Sequence, residues 1–129
     1  MKVETSTPPN TMAPVGPYSH IAKAGPFITI GATAGIDPAS GELAGQDVAS
    51  QTKQIIDVFE IMLASVGANL DHIMHINVFL LDMGDFAAMN AAYVEKMGVR
   101  RPARTAVSVT GLPKPGAVVT MNLTAISDE

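Results

Sequence analysis

Residues 47–67 read DVASQTKQIIDVFEIMLASVG. Val48, Ile55, Phe59, Met62, Leu63 and Val66 recur at steps of three and four, with Ile56 beside them, and make one wide apolar stripe. Gln51, Lys53, Gln54, Asp57 and Glu60 take the other side. The spacing predicts an amphipathic helix from Asp47 to Val66, stopped by Gly67, which is free to adopt a left-handed conformation.

C-terminal to that helix, Ile73 to Leu81 reads as a strand apolar on both faces, the pattern of a strand buried on both sides. Asp85 stands where it can cap a second helix, Phe86 to Met97, with an inner stripe of Phe86, Met89, Tyr93 and Met97 and a stop at Gly98. Pro102 forbids further helix. Two strands follow, Thr105 to Val109 and Ala117 to Ile126, separated by the loop Gly111 to Gly116. N-terminal to the first helix, Asp37-Pro38-Ala39-Ser40-Gly41 is a turn. Ser19 to Lys23 and Phe27 to Thr33 read as strands around a turn at Gly25-Pro26. A proline-bearing coil runs up to Val15. The order is ββαβαββ, within one domain spanning residues 1–129. Its economical packing is α+β: a mixed sheet with both helices on one face. The other face then needs a cover, and a second subunit is the one available.

Composition points the same way. The chain is 47% hydrophobic and 16% charged, more apolar than a small monomer can hide, so part of that surface is expected against another copy. The net charge of −4 argues against a surface for nucleic-acid backbones. The absence of cysteine removes disulfides, thiolate nucleophiles and thiolate metal sites. Met1 to Asn10 is polar with no apolar core of a signal peptide, and no apolar run is long enough to cross a bilayer. A cytoplasmic location is the default expectation.

Few residues carry chemistry. His72 and His75 invite a metal reading, but at a strand entrance they point to opposite faces and no third ligand stands at fixed spacing; a structural role is expected, and no metal. His20 is alone in its strand, where a structural role outweighs ligand contact. Gly31, Gly35 and Gly41 lack the strand–loop–helix context of a phosphate loop. Arg104 is different: it opens a strand next to Ala103 and the apolar Ala106-Val107. A guanidinium entering a sheet needs an anionic partner. Either an acid elsewhere in the chain pairs with it, or the site is open for a ligand carboxylate, which arginine grips with two parallel bonds.

Six blocks, in order and over nearly the whole chain, resemble the Rid (YjgF) family of reactive-intermediate deaminases. They are Gly16-Pro17-Tyr18-Ser19, Gly67-Ala68-Asn69-Leu70-Asp71, Val78-Phe79-Leu80-Leu81-Asp82-Met83, Asp85-Phe86-Ala87-Ala88-Met89-Asn90, Arg101-Pro102-Ala103-Arg104-Thr105 and Gly111-Leu112-Pro113. The resemblance implies a chorismate-mutase-like fold, a homotrimer with ligand sites in the clefts between subunits, no cofactor, and hydrolysis of enamines or imines to a 2-keto acid and ammonia. It also implies roles. Arg104 holds the substrate carboxylate, Tyr18 lines the pocket, Asn90 belongs to the site with Tyr93 as its packing companion, and Ala106 offers its backbone amide. Ala32, within Gly31-Ala32-Thr33, falls where the family has Ser-Gly-Gln-like residues. Asn122 falls where the deaminases carry the glutamate that positions the attacking water, and Val118 to Ile126 holds no acid. An amide can hold a water but cannot take its proton; Thr120 or Thr124 is the alternative to orient it. Reduced or redirected activity on a small carboxylate is therefore expected, with a non-catalytic carboxylate-binding trimer as the alternative.

Overall fold

A computed structural model describes residues 1–128 of the chain. Six strands and two α-helices follow in the order β1 (Glu4–Ser6), β2 (Ile21–Ala24), β3 (Phe27–Ala34), α1 (Val48–Ala64), β4 (Ile73–Leu80), α2 (Phe86–Met97), β5 (Ala103–Ser108) and β6 (Val119–Ile126). Single 3-10 turns, Leu70–His72 and Met83–Asp85, lead into β4 and α2.

The strands form one sheet in the order β1-β2-β3-β6-β4-β5. Every pairing is antiparallel except β4 with β5. Parallel neighbours need a crossover, and α2 supplies it. The sheet is mixed, with both helices on one face, as the apolar periodicity predicts. Ile28, Ile30, Ile76, Val78, Met121 and Leu123 point to that face, under Ile55, Phe59, Met62 and Leu63 of α1 and Met89 and Met97 of α2. The opposite face is bare in the single chain: Phe27 is 55% and Met74 54% exposed. Strand β4, expected to be buried on both sides, instead alternates in the single chain, one face buried and the other half-buried or exposed.

The ends of α1 follow local chemistry. The Asp47 carboxylate accepts from the Ser50 amide at 2.9 Å and the Ser50 hydroxyl at 2.7 Å, which satisfies free donors of the first turn. Gly67, at φ +78°, turns the chain out after it. Among the described residues no helix is long and apolar enough to cross a membrane.

Further details depart from the sequence reading. Strand β1 lies inside the expected coil: its residues are all exposed, and it exists through backbone pairing with β2, which leaves no side-chain pattern to read. Asp85 occupies the cap position of α2 without a capping bond; Asp82 instead accepts from the Gly84 amide at 2.8 Å. Gln51 is fully buried rather than on the polar side of α1. Its amide nitrogen donates to the carbonyls of Gly45 (2.9 Å) and Gly116 (3.1 Å), and its oxygen accepts from the Val118 amide (2.9 Å). Gly35 makes room for this helix turn: a Cβ there would stand 2.5 Å from the Gln51 carbonyl oxygen.

Candidate functional site

Arg104 sits on the edge strand β5, opposite Ile76 of β4, so it points to the face covered by the helices. There its guanidinium meets α2. It donates to the Asn90 side-chain oxygen at 2.7 Å and lies 4.8 Å from the Tyr93 ring centroid and 5.7 Å from that of Phe86. Met89 contributes a sulfur at 3.8 Å. No acid pairs with Arg104 among the described residues. The neighbouring cations are engaged elsewhere: Arg100 pairs with Asp71 at 2.6 Å, and Arg101 donates to the carbonyls of Gly98 and Arg100. Arg104 is thus oriented by a neutral amide and two aromatic faces, contacts that align a guanidinium without neutralising it.

Asn90, Tyr93, Arg101 and Arg104 line a cavity of about 310 Å³. The Tyr93 hydroxyl is buried with no hydrogen-bond partner among the described residues. Burial pushes this phenol above the ordinary tyrosine range, with Arg104 and Arg101 pulling the other way. Ala106 lies two residues beyond Arg104 on the same face, packed against the core.

A larger cavity of about 470 Å³ lies elsewhere, lined by Tyr18, His20, Ala32, Thr33, Lys114 and Thr120 among others. Ala32 falls within the bulge that shifts the β3–β6 register between Ile30 and Thr33. Backbone contacts hold this wall together. The Val15 amide donates to the Tyr18 hydroxyl at 3.2 Å, and the Gly31 amide to the His20 carbonyl at 3.0 Å. Gln51 ties the loop carrying Pro113 and Lys114 to α1 through Gly116.

The residues singled out in the sequence therefore fall into two groups. Arg104 and Asn90 share one cavity; Tyr18, Ala32 and Thr120 share the other. Thr120 and Asn122 point to the bare face, opposite to Arg104: the register pairs Leu123 with Ile76 on the covered face, and Asn122 with Asn77 on the other. From β6 to β5 is two strand spacings, roughly 10 Å. One small molecule cannot touch both groups in a single chain. Asn122 lines neither cavity; its side-chain oxygen accepts from Asn77 at 2.9 Å. Thr124 is exposed beside Phe27 and Met74.

The profile of the family described as Endoribonuclease L-PSP matches residues 8–127. The chain belongs to this family, the Rid (YjgF) group. Among its relatives, a RutC family protein of Pyrococcus horikoshii is 42% identical over 105 residues, covering 81% of this chain and 83% of that one. The 2-iminobutanoate/2-iminopropanoate deaminase of Bos taurus is 35% identical over 106 residues, covering 82% and 77%. The crystal structure of RidA from the Antarctic bacterium Psychrobacter superposes with a TM-score of 0.89 at 32% identity, over 95% of this chain and 98% of that one.

Within this Rid domain, the histidines resembling a metal pair are separated. His72 accepts from the Asn69 amide and meets Asp128 at 3.3 Å, while His75 meets the Thr105 hydroxyl at 3.1 Å. No group of three metal-ligating side chains occurs among the described residues. Sequence reasoning did not pick out Lys114, which lines the larger cavity, or Gln51, which fastens the loop beside it. Lys114 belonged to a loop treated only as a connection. Gln51 carried a signal: it stands three residues after Val48 and four before Ile55, on the apolar stripe itself.

Proposed function

We propose that this Rid protein hydrolyses small imines or enamines bearing a carboxylate, releasing ammonia and a 2-keto acid. The carrying observation is Arg104, aligned by Asn90 and Tyr93 in an open cavity with no acid paired to it. Its free donors suit a planar carboxylate. The two groups of site residues, which one chain cannot join, are completed when a second copy brings its Tyr18 wall against the Arg104 wall of the first. A closed ring of three copies makes three such clefts and covers the bare sheet face with its exposed Phe27 and Met74. The kinship with the Bos taurus deaminase supports the same chemistry.

An iminium is electrophilic at neutral pH, so the protein's work is largely to hold substrate and water in contact. Arg104 fixes the carboxylate end, and Thr120 stands in the other wall as a hydroxyl that can orient water. No cofactor enters this scheme. A second reading, a trimer that binds a keto acid without turning it over, is favoured by Asn122, an amide engaged with Asn77 where the deaminases have an acid.

The test is to generate 2-iminobutanoate in solution with an amino-acid-consuming enzyme and follow its decay. Faster decay with the protein than in buffer is expected. No acceleration on any of several imines overturns the enzymatic reading. In parallel, 2-oxobutanoate should raise the melting temperature of the wild type. Arg104→Ala should weaken that binding on the order of 10- to 100-fold, the value of charge-assisted bonds to a carboxylate. An unchanged shift places the anion elsewhere.

A further inference from the structure

We infer that His20 is a catalytic residue of this site, taking the proton of the attacking water at Nδ1. The inference rests on the hydrolase reading above and supplies the base that reading lacks. Among the described residues no carboxylate lines either cavity, and Asn122 lines neither. His20 lines the larger cavity while only 4% exposed, so its ring is held by the fold yet borders the space where substrate would lie.

The hydrogen bonding fixes which nitrogen is available. His20 Nε2 lies 2.7 Å from the carbonyl oxygen of Met12. A carbonyl only accepts, so Nε2 carries the hydrogen, and the lone pair of the neutral ring is on Nδ1. Nδ1 has no hydrogen-bond partner among the described residues. The Tyr18 ring meets the imidazole edge-on at a centroid distance of 6.0 Å. The His20 backbone is anchored on both sides, its amide on the Thr7 hydroxyl at 3.2 Å and its carbonyl on the Gly31 amide. A ring tethered through one nitrogen, with the other unpaired beside a cavity, is the arrangement of a general base.

The step balances with water as co-reactant. A water oxygen bonds to the iminium carbon, the C=N π pair moves to nitrogen, and the water's proton passes to Nδ1. The imidazolium returns that proton to the amine nitrogen of the carbinolamine. The C–N bond then breaks, a C=O bond forms, and the hydroxyl proton leaves with the nitrogen as ammonium. The other ionisable groups lining this cavity are the Tyr18 phenol and the Lys114 ammonium. A protonated imidazole has no lone pair left for the water's proton, so the rate should fall on the acid side.

The experiment compares wild type with His20→Gln, which keeps an N–H donor for the Met12 carbonyl but has no base. Imine decay is measured from pH 5 to 9, with 2-oxobutanoate binding by thermal shift as the control for an intact site. The expected result is a loss of about 100-fold in kcat with little change in KM, disappearance of the acid limb, and retained 2-oxobutanoate binding. An active wild type whose variant keeps both rate and acid limb overturns the role of His20 and leaves the hydrolase reading standing. A wild type that accelerates no imine overturns both. Nitrogen NMR of the wild-type imidazole gives a readout independent of the variant's folding. Nδ1 should be the nitrogen without a proton in the neutral ring and should shift on adding 2-oxobutanoate; a neutral ring protonated at Nδ1, or no shift, overturns the assignment.

Discussion

The two walls of the proposed site are held in different ways. Arg104 is gripped by side chains from one helix: it donates a hydrogen bond to Asn90, lies over the Tyr93 and Phe86 rings, and touches the Met89 sulfur. The opposite wall is held by main chain. Tyr18, His20 and the Lys114 loop each hang on a peptide group, at Val15, Met12 and Gly116 respectively, the last through Gln51. The first arrangement puts the charge where a helix and a strand fix it to within a rotamer. The second lets coil and bulge build a shaped space whose walls are mostly apolar. Anchoring is thus assigned to regular structure and shape to irregular structure.

The largest effect expected from this division concerns where the walls meet. If each site takes one wall from each of two copies, Arg104→Ala and His20→Gln proteins, each strongly impaired, should rescue one another when unfolded and refolded as a mixture. Random assembly gives roughly a quarter of the sites both intact walls, so about that fraction of wild-type imine decay should return. A mixture no more active than its parents breaks the comparison, since the two walls would then not share one site.

A middle-sized effect tests the main-chain wall. Gln51→Leu keeps the volume but leaves the Gly45 and Gly116 carbonyls and the Val118 amide without their partner. Unpaired buried groups cost about 1–3 kcal/mol each, less where water can reach them. The expected loss in urea unfolding is therefore roughly 2–3 kcal/mol. A loss near zero would mean that the loop is held by other contacts.

The smallest effect concerns α1, the element behind that wall. The Asp47 carboxyl is held below its ordinary value, first by the Ser50 amide and then by the Ser50 hydroxyl. A depressed folded-state value means that the native state binds fewer protons than the unfolded one. The stabilisation is then present above about pH 4 and lost as pH falls through the folded value. Asp47→Asn caps about as well. It should melt like the wild type at pH 7 and lose less stability between pH 4 and 2. Parallel melting curves over that range would assign the acid sensitivity to other carboxylates.

The division also explains what was legible in the sequence. Helix α2 and Arg104 were readable because a 3.6-residue period and an unpaired charge leave marks on residue types. The ends of α1 were readable from Asp47 and Gly67. Strand β1 was not, because Glu4–Ser6 pairs through backbone alone. The first two residues of β5 were missed for the same reason: the pairing of His75 with Ala103 in the parallel ladder requires no particular side chain. His20 was visible as a residue but not as a site, since its partner is the carbonyl of Met12, a group every residue has. Gln51 was misplaced because its polarity outweighed its position on the stripe.

The same Gln51 bears on how a ligand arrives. A loop such as Gly111–Gly116, beside a cavity and rich in glycine and proline, has the composition of a gate. Here its far end is fastened to a buried helix turn, so it belongs to the rigid body of the domain rather than to a moving flap. Entry to the proposed cleft would then be governed by encounter and orientation, not by an opening step, and the cleft would discriminate by fixed outline: molecules that fit would be admitted at once, and those that do not would have no slower open form to wait for.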